Sequence, residues 1–328
     1  MLTTLPLAPA PVGFGSPGSV PYGRFLGALA DERTAAFDGG SGLLSPRRLQ
    51  RKAWLYFGAF TQRYMIGIAT VDAGLVATGF VYVYDRQQKR LVEEKAMAPL
   101  GFASAFAPKL RGEWRFAAGA RRWSIEPDGD GWQVRFEGKR IVLGMRFGGA
   151  PGMTSISPVI GRPFHHTYKA CTLPVHVDVS VDGNRGEVAG SGVVDFTLGY
   201  PPRHTTWNWA SAAGQTSDGS RFGVNLVAHF HNGLENALWL GDEVIALPQA
   251  TFIYDAHNVL APWVVRSEDG ALELRIYPEG ERKERVNAGL MVSDFTQPFG
   301  RVEGTVNTGG RRLGLSGFGV VEQHRAVW

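Results

Sequence analysis

From Ala53 onward the chain alternates aromatic or aliphatic residues with polar ones over short stretches. Trp54-Leu55-Tyr56, Met65 to Val71, Leu75 to Tyr84, Trp114 to Phe116, Arg122 to Glu126 and Gly131 to Phe136 all show this period of two. Side chains of an extended strand point alternately to its two faces, so the pattern predicts half-exposed antiparallel strands. Pro127-Asp128-Gly129-Asp130 separates two of them as a turn, and a meander is the simplest way to join them. The opening segment to about Ser45 is rich in Pro, Gly and Ala and reads as irregular chain wrapped on the surface.

Composition supports this reading. The chain has 43 Gly and 19 Pro, more than a helical protein would use but suited to many tight turns. Its 328 residues exceed what one typical core fills, and 44% hydrophobic with 20% charged residues gives ample material for burial. The expectation is an all-β protein of two domains.

A repeat sharpens the division. Val175 to Asp195 aligns without a gap on Val302 to Glu322, with identities at Val175, Val179, Gly183, Arg185, Gly190, Gly192, Val193 and Val194. Each copy ends in Gly-x-Gly-Val-Val and a carboxylate, Asp195 or Glu322. Trp54-Leu55-Tyr56 near the start of one unit is echoed by Trp207-Asn208-Trp209 in the other. Such self-similarity implies two copies of one architecture. The expected organisation is an irregular segment over 1–50, a first β-barrel over 51–200 and a second over 201–328, joined near the stiff Pro201-Pro202 pair. Gly190 and Gly192 leave one strand face bare, which either admits a bulky group or marks a bend at a barrel corner.

Net charge is +4, and the basic residues are scattered; the densest group, Arg47, Arg48, Arg51 and Lys52, reads as a solvated entry segment. No nucleic-acid partner is implied. The single cysteine, Cys171, can form neither an internal disulfide nor a cysteine-rich zinc site, which suits a reducing compartment. Met1 to Pro11 lacks the basic start of a secretory signal, and the longest apolar run, Gly74 to Tyr84, ends at Asp85. A cytoplasmic protein without a transmembrane segment is expected; transient contact with a membrane surface and the oligomeric state stay open.

Four constellations carry candidate chemistry. In Pro163 to Lys169, His166 and Tyr168 share one strand face while His165, Thr167 and Lys169 share the other, and a histidine beside a phenol can handle protons. Asp195 stands between Val194 and Phe196; burial there would raise its pKa and make it a competent acid. In Arg203 to Trp209 the two tryptophans share a face and, with Trp54 and Tyr56, would supply an aromatic cavity able to stabilise a cation. His229-Phe230-His231 with Glu235 has the minimum composition of a metal site, but at a spacing common by chance, and ordinary strand histidines are the expectation. Gly233-Leu234-Glu235-Asn236 reads as a hairpin turn near the barrel mouth. The chain has no phosphate-binding Gly-Lys loop, no dinucleotide fingerprint and no Gly-x-Ser-x-Gly elbow, which speaks against kinases, dehydrogenases and elbow-type serine hydrolases.

Tyr168-Lys169, Asp195 to Arg203, Trp207 to Ala210, Asn225-Leu226, Glu235-Asn236 and the closing Gly317 to Glu322 with Trp328 resemble an uncharacterised bacterial family, domain of unknown function 2804. A more distant likeness is to the carotenoid 1,2-hydratases and their lipocalin-like relatives, two-domain calycin proteins. Gly190, Gly192 and Asp195 match the Gly-x-Gly-x-x-Asp motif of that group. This likeness implies that Asp195 donates a proton and that His166 and Tyr168 take the places of an upstream histidine and aromatic residue. Val193 stands where that group has an aromatic residue. The fold expected is therefore two duplicated calycin-like antiparallel barrels. The function expected is binding of an isoprenoid- or lipid-like molecule, with acid-catalysed hydration, cyclisation or isomerisation of a C=C bond; a lipid carrier and a partner-binding scaffold are the alternatives. Asp195 and His166 are the catalytic candidates. Tyr168, Trp207, Trp209, Trp54, Tyr56, Arg203, Asn225, Glu235 and Asn236 are the ligand-binding ones, with no cofactor or metal.

Overall fold

A computed structural model describes residues 6–39, 45–99, 104–106, 108–287 and 292–328. The chain is all-β: two curled antiparallel sheets of 14 and 9 strands form two barrel-like halves. The last strand of the first sheet ends at Gly199, and the second sheet begins at His204. In the first sheet, a meander from Lys52–Phe60 to Arg90–Pro99 is joined to a second run of strands because Lys52–Phe60 pairs with Asn184–Gly199. The opening segment is not uniformly irregular. Gly23–Leu26 pairs with Met153–Val159, and Pro46–Gln50 makes a short helix capped by the Ser45 hydroxyl.

The repeated segments form two long hairpins. One comprises Arg162–Val181 and Asn184–Gly199, and the other Val292–Thr308 and Arg311–Val327. Their registers correspond: Val175 lies opposite Gly190 as Val302 lies opposite Gly317, and Val181 opposite Asn184 as Thr308 opposite Arg311. The equivalence extends to the neighbouring strands, where Tyr56 opposes Asp195 and Trp209 opposes Glu322. The bare face at Gly192 admits a bulky group: the Phe147 ring fills the space its side chain would take.

Alternation sorts the side chains into three apolar groups. Leu55, Phe57, Phe164, Val194, Phe196 and Leu198 fill the first barrel, and Val224, Leu226, Trp263, Leu274 and Val321 fill the second. The intervening positions of the same strands, including Tyr56, Val193, Trp209, Val227 and Val320, pack the two barrels against each other. Both faces of these strands are therefore apolar, and the lumens are occupied by side chains.

The first hairpin departs from its repeat in one respect. Its register shifts between Ala170 and Leu173, where Thr172 takes φ +70°. This is unfavourable backbone for a β-branched residue and marks a bulge. The bulge brings Cys171 against the second sheet, where Gly223 leaves room: a Cβ there would lie 2.3 Å from the Cys171 Cβ. Arg86, bidentate to Glu279, and Arg282, bonded to Glu93 at 2.6 Å, tie the barrels together elsewhere.

Candidate functional site

The outward faces of the two hairpins do not meet everywhere. Between them lies a cavity of about 530 Å³ whose walls include Trp54, Tyr56, Phe80, Trp207, Trp209, Phe230 and Phe295. Tyr56 and Trp209, equivalent in the two repeats, meet edge to face at 5.6 Å. Trp54 stacks on Trp328 at 6.1 Å.

At one wall a polar cluster is buried among these rings. Lys169 pairs in register with Asp195, and its ammonium lies 2.6 Å from the Asp195 carboxylate and 3.2 Å from Glu235. The Lys169 side chain is 4% exposed and that of Asp195 13%. Asp195 Oδ1 and Glu235 Oε1 have no hydrogen-bond partner among the described residues. Burial pushes the Asp195 carboxyl above its ordinary value, against the pull of Lys169. Burial would lower the Lys169 ammonium, but the two carboxylates hold it above its usual value. One cation faces two carboxyl groups. A net charge in this apolar wall is costly, and burial favours the protonated form of the Asp195 carboxyl.

Glu235 reaches this cluster because the strand Arg221–Ala228 ends early. His229, His231 and Asn232 adopt left-handed backbone and lead into a 3₁₀ turn over His231–Gly233. His229 and His231 are thus not neighbours on one strand face: His229 is exposed, while His231 stacks on His165 at 4.4 Å. Asn225 donates to the Glu235 carbonyl at 2.9 Å and accepts the Trp209 indole N–H at 2.8 Å. Asn236 accepts from the Val227 N–H at 2.6 Å and donates to the Pro248 carbonyl. Asn225 and Asn236 are buried and hold other side chains and the turn in place. Burial lowers His165 well below its ordinary pKa, helped by His231 and Lys169, and lowers His231 to about 3, helped by Lys169.

His165, His231 and Glu235 bring three donor atoms within 4.8 Å of one another. The two imidazoles lie 25° from parallel, so their in-plane lone pairs run side by side instead of converging on one ion about 2.1 Å from each. The Lys169 ammonium already pairs with Glu235. The arrangement does not fit a metal without rebuilding.

Across the cavity Glu322, the repeat equivalent of Asp195, has a different neighbourhood. It accepts the Trp207 indole N–H at 3.0 Å and the Gln297 amide at 2.7 Å, so a neutral amide stands where the first repeat has Lys169.

Of the residues singled out in the sequence, Asp195, Glu235, Trp54, Tyr56, Trp207 and Trp209 line this cavity. His166 and Tyr168 do not. They point into the first barrel, His166 between Phe14 and Phe196 with Ser155 and Glu32 as partners, and Tyr168 over Gly152. Arg203 does not line the cavity but donates to the carbonyl of Trp328, which does. His165, Lys169, Glu322 and His324 line it unforeseen. For the first two the signal was present, since strand alternation sets them on the face opposite His166 and Tyr168.

Two barrel-like antiparallel halves with matching hairpin registers and an aromatic, acid-bearing cavity between them define the architecture of the chain. The chain belongs to the family described as domain of unknown function DUF2804, which matches residues 33–328. Solved structures share the fold. A protein from Nitrosomonas europaea described as an AttH superimposes with a TM-score of 0.56 at 17% identity, covering 83% of this chain and 92% of that one. Kievitone hydratase from Nectria haematococca gives 0.53 at 13%, covering 83% and 88%, and CghA gives 0.55 at 12%, covering 86% and 91%. No curated protein matches the sequence. Among the described residues no helix is long and apolar enough to cross a membrane.

Proposed function

We propose that the chain binds a hydrophobic, isoprenoid- or lipid-like small molecule in the cavity between the barrels and protonates a carbon–carbon double bond of it from Asp195. The observation that carries this reading is the Asp195 carboxyl, buried beside Lys169 and Glu235 with one oxygen unpartnered, in a cavity lined by Trp54, Tyr56, Trp207 and Trp209. Protonating an alkene needs a neutral acid in a dry site, and the carbocation formed needs π faces and nearby negative charge. Trp54, Tyr56, Trp207 and Trp209 supply the faces. The cavity wall also carries Lys95, Lys169 and Arg282 with Asp195, Glu235, Glu284 and Glu322, so that with Asp195 neutral its remaining charges offset one another and no net positive charge opposes a carbocation. Water adding to the cation completes a hydration, with its surplus proton returned to Asp195; loss of a different proton to Asp195 gives an isomer; attack by a second double bond followed by loss of a proton to Asp195 gives a ring. A two-barrel relative bears the name of a hydratase, which agrees with this chemistry. No role is carried over for His166, which faces the other way.

The test uses tryptophan fluorescence of the full chain titrated with long-chain and polyene ligands, followed by product analysis in D₂O. Saturable quenching is expected. Trp207→Ala or Trp209→Ala should weaken binding by about 1 to 3 kcal/mol without unfolding. Asp195→Asn should bind and lose turnover by about 10²- to 10⁴-fold. Absence of any saturable ligand overturns the binding reading. Turnover unaffected by Asp195→Asn removes the acid role, and a ligand bound but returned unchanged makes the protein a carrier.

A further inference from the structure

A second set of side chains in the cavity plays no part in the proton chemistry above. Ser293 Oγ lies 2.9 Å from His324 Nε2, and His324 Nδ1 lies 3.2 Å from Glu322 Oε1. Glu322 is held by the Trp207 indole and the Gln297 amide, and the His324 ring is gripped between Trp207 at 4.2 Å and Phe295 at 5.2 Å. Ser293, His324 and Glu322 all line the cavity. A hydroxyl on one imidazole nitrogen, a carboxylate on the other and a carboxylate that cannot swing away are the relations that activate a serine nucleophile, whatever fold bears them. The missing Gly-x-Ser-x-Gly motif excludes the strand-to-helix elbow only; here the serine sits near the start of the strand Val292–Thr308 and the base on its hairpin partner.

We propose that Ser293, His324 and Glu322 form a nucleophilic triad that cleaves esters of apolar acyl groups held in the same cavity. Ser293 Oγ bonds to the carbonyl carbon as its proton passes to His324 Nε2. The ester C–O bond then breaks, and the alcohol leaves with that proton. Water, deprotonated by the same nitrogen, attacks the acyl carbon; the bond to Ser293 Oγ breaks as His324 returns the proton to Oγ, and the carboxylic acid leaves. The aromatic walls select an apolar acyl chain.

The inference does not depend on Asp195, and its test is separate. The full chain is treated with phenylmethylsulfonyl fluoride and digested for mass spectrometry, and p-nitrophenyl esters of two to twelve carbons are assayed in parallel. A single sulfonyl adduct on Ser293 is expected, with ester cleavage rising with chain length until the cavity is full. Ser293→Ala should abolish both while leaving the near-UV circular dichroism unchanged. His324→Gln should slow labelling and cleavage by about 10²-fold or more, and Ser293→Cys should restore labelling by a thiol reagent. Labelling at another residue, or ester cleavage surviving in Ser293→Ala, overturns the triad. So does a correctly folded wild-type protein that neither labels nor cleaves.

Discussion

Replacing Lys169 by Met keeps most of the side-chain volume and removes a charge that is 4% exposed, 2.6 Å from Asp195 and 3.2 Å from Glu235. At an effective dielectric constant of about 20, a unit-charge contact near 3 Å is worth roughly 5 to 6 kcal/mol. Lost hydration opposes it by several kcal/mol per ion, so the intact cluster adds little net stability. Removing only the cation abolishes the attraction and leaves the carboxyl groups buried, at a cost of about 3 to 5 kcal/mol. Protonation returns part of that cost. Without the pull of Lys169, burial raises the Asp195 carboxyl further, and the folded variant then binds more protons than its unfolded chain. Stability relative to wild type therefore recovers as the pH falls. Urea unfolding followed by tryptophan fluorescence should show a larger penalty at pH 8 than at pH 5.5. Adding Asp195→Asn should cost less than the sum of the two single changes, because the pair is coupled. A loss below about 1 kcal/mol at both pH values, with additive single and double variants, would mean that the cluster is hydrated; the reason for a protonated Asp195 would then disappear.

The paired histidines predict a second pH effect. His165 and His231 stay neutral in the folded chain, His231 down to about pH 3, whereas unfolded histidine takes up a proton near pH 6.5. The unfolded state then binds more protons, so stability should fall as the pH drops from about 6.5 toward 3, and His231→Asn, which tolerates the left-handed backbone, should flatten that slope in a urea series. At the barrel contact, Gly223→Ala would put a methyl group 2.3 Å from the Cys171 Cβ and should cost about 1 to 3 kcal/mol, seen as a lower thermal midpoint. An unchanged midpoint would show that the barrels approach less closely there.

Strand alternation, turn residues and the repeat were enough to read two antiparallel units from the chain, because each depends on neighbours in sequence. The hairpin registers of the two copies agree residue for residue beyond the bulge, as a shared ancestry of the segments requires. Asp195, Trp54, Tyr56, Trp207 and Trp209 were also legible, since large rings and a carboxylate amid apolar residues stand out at any position. What alternation could not assign was which face becomes lumen and which becomes interface, because Val194 and Phe196 are as apolar as Val193 and the tryptophans. The likeness to the carotenoid 1,2-hydratases groups His166 and Tyr168 with Asp195, although they fill the first barrel.

Register supplied the rest. Counting back from the Asp182-Gly183 turn sets Ala170 opposite Asp195; the bulge at Cys171 and Thr172 advances the strand by one residue and brings Lys169 there instead. At that bulge the strand meets the second sheet at Gly223, a contact made only when both barrels are folded. Glu235 likewise joins the cluster through a left-handed turn of the other barrel, and Ser293 meets His324 across a hairpin. The sequence by itself determined the strands, their duplication and the inventory of reactive side chains, because these follow from local spacing. The tertiary structure alone decided which of those side chains share a cavity, because that depends on how two separately curled sheets pack and on a one-residue shift that local spacing does not record.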